Sequence, residues 1–142
     1  MLVISFGNRP EYLNIKPTLD GLDRSLYKLF FTGQQLDLIQ TEYFIDYVLD
    51  IRDGKNRLDS IVQSILNQED IFSDCSHVLV QGDTNSAFAV ALAAFHRKIK
   101  VIHLEAELRT FDVNNPYPEE FNRRAISGIS DLNFCPTELS RQ

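Results

Sequence analysis

Three carboxylates stand where apolar segments give way to polar ones: Asp83, Glu105 and Glu119. Asp83 lies in Gln81-Gly82-Asp83-Thr84-Asn85-Ser86, after a short apolar run and before an alanine-rich one. A carboxylate there serves either as a helix N-cap or as a general base. Thr84, Asn85 and Ser86 are equally able to cap, so the capping role does not need Asp83. Glu105 closes the apolar run Val101-Ile102-His103-Leu104, where partial burial would raise a carboxyl pKa toward the range useful for proton transfer. The alternative is an ion pair with Arg109 or Arg123. Glu119 and Glu120 fall in the first turn of a helix, where the dipole favours acids. Arg123 follows Glu119 by four residues, so the two share a helix face and would set a carboxylate beside an anion-binding cation.

A second cation, Arg9, sits in Gly7-Asn8-Arg9-Pro10-Glu11. A glycine turn into a helix N-terminus, with an arginine beside it, suits an anionic ligand; an ordinary surface turn is the other reading. No GxGxxG fingerprint occurs, so a nicotinamide or flavin dinucleotide has no support. His77, His96 and His103 are scattered, and Cys75 with His77 is at most a fragment of a metal site, so a structural role is expected for each and no metal.

The elements that must carry these residues alternate. Strands are expected at Leu2–Phe6, Leu26–Phe31, Tyr47–Ile51, His77–Gln81, Val101–Leu104 and Leu132–Cys135. Helices are expected over Glu11–Leu22, Leu58–Leu66, Ser86–Arg97 and Pro118–Ile129. Pro17 should kink or shorten the first helix. Leu58, Ile61, Val62, Ile65 and Leu66 give the clearest amphipathic stripe. Gln34 to Asp46 is ambiguous. Ala106 to Tyr117 reads as a loop, and its second half is a candidate lid. Tyr43, Phe44, Tyr47, Phe88 and Phe95 are read as core or domain-contact residues. Alternation of this kind gives an α/β fold with a doubly wound parallel sheet covered by helices on both faces. Ligands then bind beyond the carboxyl ends of the strands, where the three acids and two arginines fall.

Composition sets the limits. The chain has 142 residues, 44% hydrophobic and 24% charged, enough for one globular domain. Its net charge of −6 argues against a nucleic-acid partner or an anionic membrane surface, though not against a small anion held by local cations. Two cysteines, Cys75 and Cys135, do not make a disulfide scaffold. No apolar run approaches the roughly 20 residues of a membrane span. Met1 to Phe6 is apolar but lacks the flanks of a signal peptide, so a cytoplasmic location is expected. Thr137 would cap a helix that stops after one turn, which suggests the front part of something longer.

The segments Gly82-Asp83-Thr84, His103-Leu104-Glu105-Ala106-Glu107-Leu108-Arg109-Thr110, Tyr117-Pro118-Glu119-Glu120-Phe121-Asn122-Arg123 and Cys135-Pro136-Thr137-Glu138 closely resemble the N-terminal half of the UDP-N-acetylglucosamine 2-epimerase family. Gly7 to Glu11 and Thr32-Gly33-Gln34 look like that family's first two βα turns. The likeness runs in order from end to end. It implies a Rossmann-like domain, residues 1–142, as the first of the two domains of a GT-B-like epimerase, with the C-terminal nucleotide-binding domain absent.

The implied reaction interconverts UDP-GlcNAc and UDP-ManNAc. The C2 proton is removed and UDP leaves, giving 2-acetamidoglucal and bound UDP. UDP then adds back while a proton reaches the opposite face of C2. No cofactor is required. Matched motif to motif, the carboxylates fall on Asp83, Glu105 and Glu119, and the substrate-binding arginines on Arg9 and Arg123. The implied partners are a UDP-sugar, a C-terminal domain or separately encoded second half, and a second copy in a homodimer. A hydrolysing form releasing ManNAc and UDP, or a truncated non-catalytic domain that binds a nucleotide or partner, are the alternatives. The sequence departs from the family pattern at Asn8 (Thr in the family), at Asn14 (Lys, with Lys16 two residues on), at Gln35 (His) and at Glu107 (Gly), where a side chain would strain the loop or crowd the pocket.

Overall fold

The structure is a computed structural model describing residues 1–33, 41–49, 57–104 and 119–134, the side chains of Arg57 and Leu58 excepted. The strands are β1 (Leu2–Phe6), β2 (Tyr27–Phe31), β3 (Tyr47–Val48), β4 (His77–Gln81), β5 (Lys100–Leu104) and β6 (Leu132–Phe134). The helices are α1 (Arg9–Gly21), α2 (Arg57–Leu66), α3 (Asn85–His96) and α4 (Glu119–Ile129), with a single 3-10 turn at Arg24–Leu26. Every strand pairing is parallel, in the order β3-β2-β1-β4-β5-β6. The chain therefore reverses direction across the sheet between β1 and β4. In a doubly wound sheet that break leaves a crevice at the carboxyl ends of these two strands.

Alternation along β1 divides two cores. Ile4 and Phe6 face α1 and pack with Tyr12, Ile15, Leu19, Leu29 and Phe31. Val3 faces the other way, onto α2, α3 and α4, with Phe30, Ile65, Val78, Val80, Val101 and Ile126. The near-continuous apolar character of β1 and β4 follows, because both faces are covered.

Pro17 neither ends nor shortens α1, which continues to Gly21. Tyr12, Ile15 and Leu19 are buried on one stripe. At about 1.5–3 kcal/mol for each, their burial outweighs the ~3 kcal/mol that a mid-helix proline costs. β3 ends at Val48, and Leu49, expected within it, follows as a buried residue whose N–H donates to the Phe31 carbonyl at 2.8 Å; residues 50 and 51, the 106–117 loop, Cys135 and the C-terminal turn at Thr137 lie outside the described segments. Phe44 and Phe95 are exposed and belong to neither core, while Tyr43, Tyr47 and Phe88 pack partly against one.

A candidate active site at the sheet's switch point

The turn after β1 closes as a variant of the capping box, with the reciprocal bond shifted one residue toward the strand. Asn8 caps α1 by accepting the Glu11 N–H at 2.8 Å, and the Glu11 Oε1 accepts the Gly7 N–H at 2.7 Å. Asn caps at least as well as Thr by this means, so the departure at Asn8 keeps the turn intact. The other Glu11 oxygen accepts the Thr84 hydroxyl at 3.0 Å. One buried carboxylate thus ties the first turn to the turn after β4, across the crevice. Room for the first turn comes from two glycines back to back: a Cβ on Gly33 would lie 2.1 Å from the Gly7 carbonyl oxygen.

The turn after β4 begins at Gly82, whose φ of +81° is a conformation side chains resist. The Gly82 N–H donates to the Leu104 carbonyl at 3.2 Å, and His103, fully buried, places Nε2 2.8 Å from the Gly82 oxygen and Nδ1 3.2 Å from Ser127 Oγ. His103 is a brace, as expected of a structural histidine. Thr84 caps α3, accepting the Ala87 N–H at 3.2 Å. The cap is therefore filled without Asp83.

The Asp83 carboxylate instead accepts from the guanidinium of Arg123, through Nη2. Arg123 Nη1 donates to Glu120 Oε2 at 3.0 Å, and Arg124 Nε donates to Glu120 Oε1 at 3.0 Å. Glu120 is 0% exposed, against 25% for the Asp83 side chain. Among the described residues, two guanidiniums flank Glu120, which is what makes a fully buried acid tolerable here. Asn122, also buried, donates from Nδ2 to the Asp83 carbonyl and to Asn85 Oδ1, both at 3.0 Å. The Asp83 turn is gripped from both sides of the sheet, by Glu11 through Thr84 and by Asn122.

Of the five expected site residues, the structure brings Asp83 and Arg123 into contact. Glu119 lies in the first turn of α4, half-buried, and forms no ion pair with any described residue. The acid that Arg123 takes on its own helix is Glu120, three residues before it, rather than Glu119. Arg9 occupies the first position of α1, exposed and paired with no described acid. Glu105 lies outside the described residues, immediately after Leu104 at the end of β5, as do Glu107, Gln35 and the candidate lid. Lys16 is bound to Asp20 at 3.0 Å, which raises its pKa first by that hydrogen bond and then by charge. No group of three or more potential metal ligands occurs among the described residues.

The sequence reading missed Glu11, Glu120 and Asn122. The Asn8-to-Glu11 spacing of a capping box and the i, i+3 and i, i+4 spacings from Glu120 to Arg123 and Arg124 were available signals.

A six-stranded parallel sheet in this order, with charged side chains gathered at its switch point, defines a Rossmann-like α/β domain. The family description UDP-N-acetylglucosamine 2-epimerase matches residues 18–142. The chain is 38% identical to the UDP-N-acetylglucosamine 2-epimerase of Neisseria meningitidis serogroup A, over 96% of this chain and 40% of that protein. It is 37% identical to the enzyme of that name from Campylobacter jejuni, over 99% of this chain and 40% of that one. The crystal structure of the Neisseria meningitidis UDP-GlcNAc 2-epimerase bound to UDP-GlcNAc superposes with a TM-score of 0.89, at 38% identity, over 99% of this chain and 42% of that chain. The Methanocaldococcus jannaschii enzyme in complex with UDP-GlcNAc and UDP gives 0.79 at 31% identity, over 99% and 41%. This chain belongs to the UDP-N-acetylglucosamine 2-epimerase family, and it spans about 40% of the length of the curated relatives it matches.

Proposed function

We propose that this chain is the N-terminal half of an enzyme interconverting UDP-N-acetylglucosamine and UDP-N-acetylmannosamine. The observation that carries the reading is the Asp83–Arg123 contact at the β1/β4 switch point, with Glu119 in the same helix as Arg123. In this reading Asp83, Glu105 and Glu119 move protons at C2 of the hexosamine, and Arg9 and Arg123 hold the diphosphate of the leaving UDP. Elimination places negative charge on that diphosphate, and fixed guanidiniums stabilise charge where it develops. A second domain, on the same chain or supplied separately, completes the nucleotide pocket, and two copies assemble. The UDP-GlcNAc seen in the Neisseria relative supports the substrate class.

The test joins this chain to the C-terminal part of a relative and supplies UDP-GlcNAc in D2O. UDP-ManNAc carrying deuterium at C2 is the expected product. Free ManNAc as the product would move the assignment to a hydrolysing enzyme, and retention of the C2 hydrogen in UDP-ManNAc would refute proton abstraction.

A further inference from the structure

We infer that Asp83 determines which anions this site accepts, because it occupies the guanidinium an incoming phosphate needs. The inference deepens the function proposed above and rests on it. Arg123 serves two acids at once, Glu120 through Nη1 and Asp83 through Nη2. Glu120 is fully buried and held on its other oxygen by Arg124, so leaving its partners would strand a charge inside the protein. Asp83 is a quarter exposed and sits at the open end of the sheet. It is therefore the acid that yields.

An anion entering the crevice meets an arginine already neutralised from both sides. A monoanion gains from Arg123 no more than Asp83 already gains, and Asp83 competes as a tethered group at high effective concentration. A diphosphate brings more charge and several oxygens for forked pairing with a guanidinium, so it wins the exchange. Its arrival also releases the Asp83 carboxylate. The proton acceptor proposed above thus becomes available when a diphosphate ligand is seated, and stays engaged otherwise.

The test titrates this chain, joined to the C-terminal part of a relative as above, with UDP and, separately, with acetate, following both by ligand-observed NMR. The proteins are wild type, Asp83→Asn, Asp83→Ala, Arg123→Ala and the double variant Asp83→Asn/Arg123→Ala. Both Asp83 variants are expected to bind UDP up to about fivefold more tightly than wild type, the scale of one partly exposed ion pair removed from the competition. They are also expected to acquire acetate binding that wild type lacks. Arg123→Ala is expected to weaken UDP, and adding Asp83→Asn to it to restore nothing. Equal or weaker UDP binding by both Asp83 variants overturns the exchange and leaves the site reading standing. Failure of every protein to bind UDP overturns both.

Discussion

At the turn after β1 the acid faces inward and the base outward: Glu11 spends its two oxygens on the Gly7 N–H and the Thr84 hydroxyl, and Arg9 stands exposed. At the turn after β4 the capping work falls to Thr84, and the acid, Asp83, is left to face the guanidinium of Arg123. Both turns join a strand to a helix at the same crevice. The difference is the residue that satisfies the helix's orphan amides. Where the acid belongs to that hydrogen-bonding frame it holds the turn, and where a hydroxyl takes the duty the acid is left to pair with a cation from another helix.

The largest expected effect separates the two acids by rate. In the complete enzyme Asp83→Asn and Glu119→Gln should each lower turnover about 10²- to 10⁴-fold with the fold retained. Glu11→Gln should lower it little, since the amide keeps acceptor and donor for Gly7 and Thr84. Steady-state kinetics with circular dichroism would check this, and a Glu11→Gln loss equal to that of Asp83→Asn breaks the contrast. Next come the glycines. Gly33→Ala drives a methyl to 2.1 Å from the Gly7 oxygen and should cost about 3 kcal/mol in urea unfolding. Gly82→Ala meets nothing within 4 Å and pays for its φ alone, about 1 kcal/mol. Equal costs would mean that space does not distinguish the turns. Glu11→Ala removes two acceptor oxygens and should cost about 2 kcal/mol by the same measurement.

The smallest effect lies far from the crevice. The bond to Asp20 raises the Tyr43 pKa from 10.0 to about 12. Its contribution is therefore full below pH 10 and is lost as the pH climbs through about 12. Asp20, lowered first by Tyr43 and then by Lys16, contributes above its unfolded pKa and loses that contribution as pH falls through its folded value. Tyrosinate absorbance should show a late-ionising tyrosine that is missing in Tyr43→Phe; identical titrations would remove the Asp20 bond.

Most of the architecture was legible because its signals are local. Val78 and Val80 with their neighbours make an apolar run at β4, the helix stripes repeat at 3.6 residues, and glycine or proline stands at several boundaries. Asp83 was legible as a choice between cap and base, and Thr84's cap geometry removes the first. Glu120 was harder. Two adjacent acids in a helix's first turn look alike, and which one faces inward depends on the rotation of α4, set by the burial of Asn122 and Ile126. The link from Glu11 to Thr84 spans 73 residues and has no local signal at all. Nor does Pro17 announce that the stripe around it is strong enough to carry the helix through.

β1 is a central strand flanked by β2 and β4, and Ser76, just before β4, bonds Met1 across 75 residues of sequence. At a synthesis rate of roughly 5–20 residues per second, the edge that β4 will occupy stays open for about four to fifteen seconds after β1 leaves the ribosome. During that interval the newborn polypeptide displays one open edge of an apolar strand, and this is the stage at which holding chaperones would protect it.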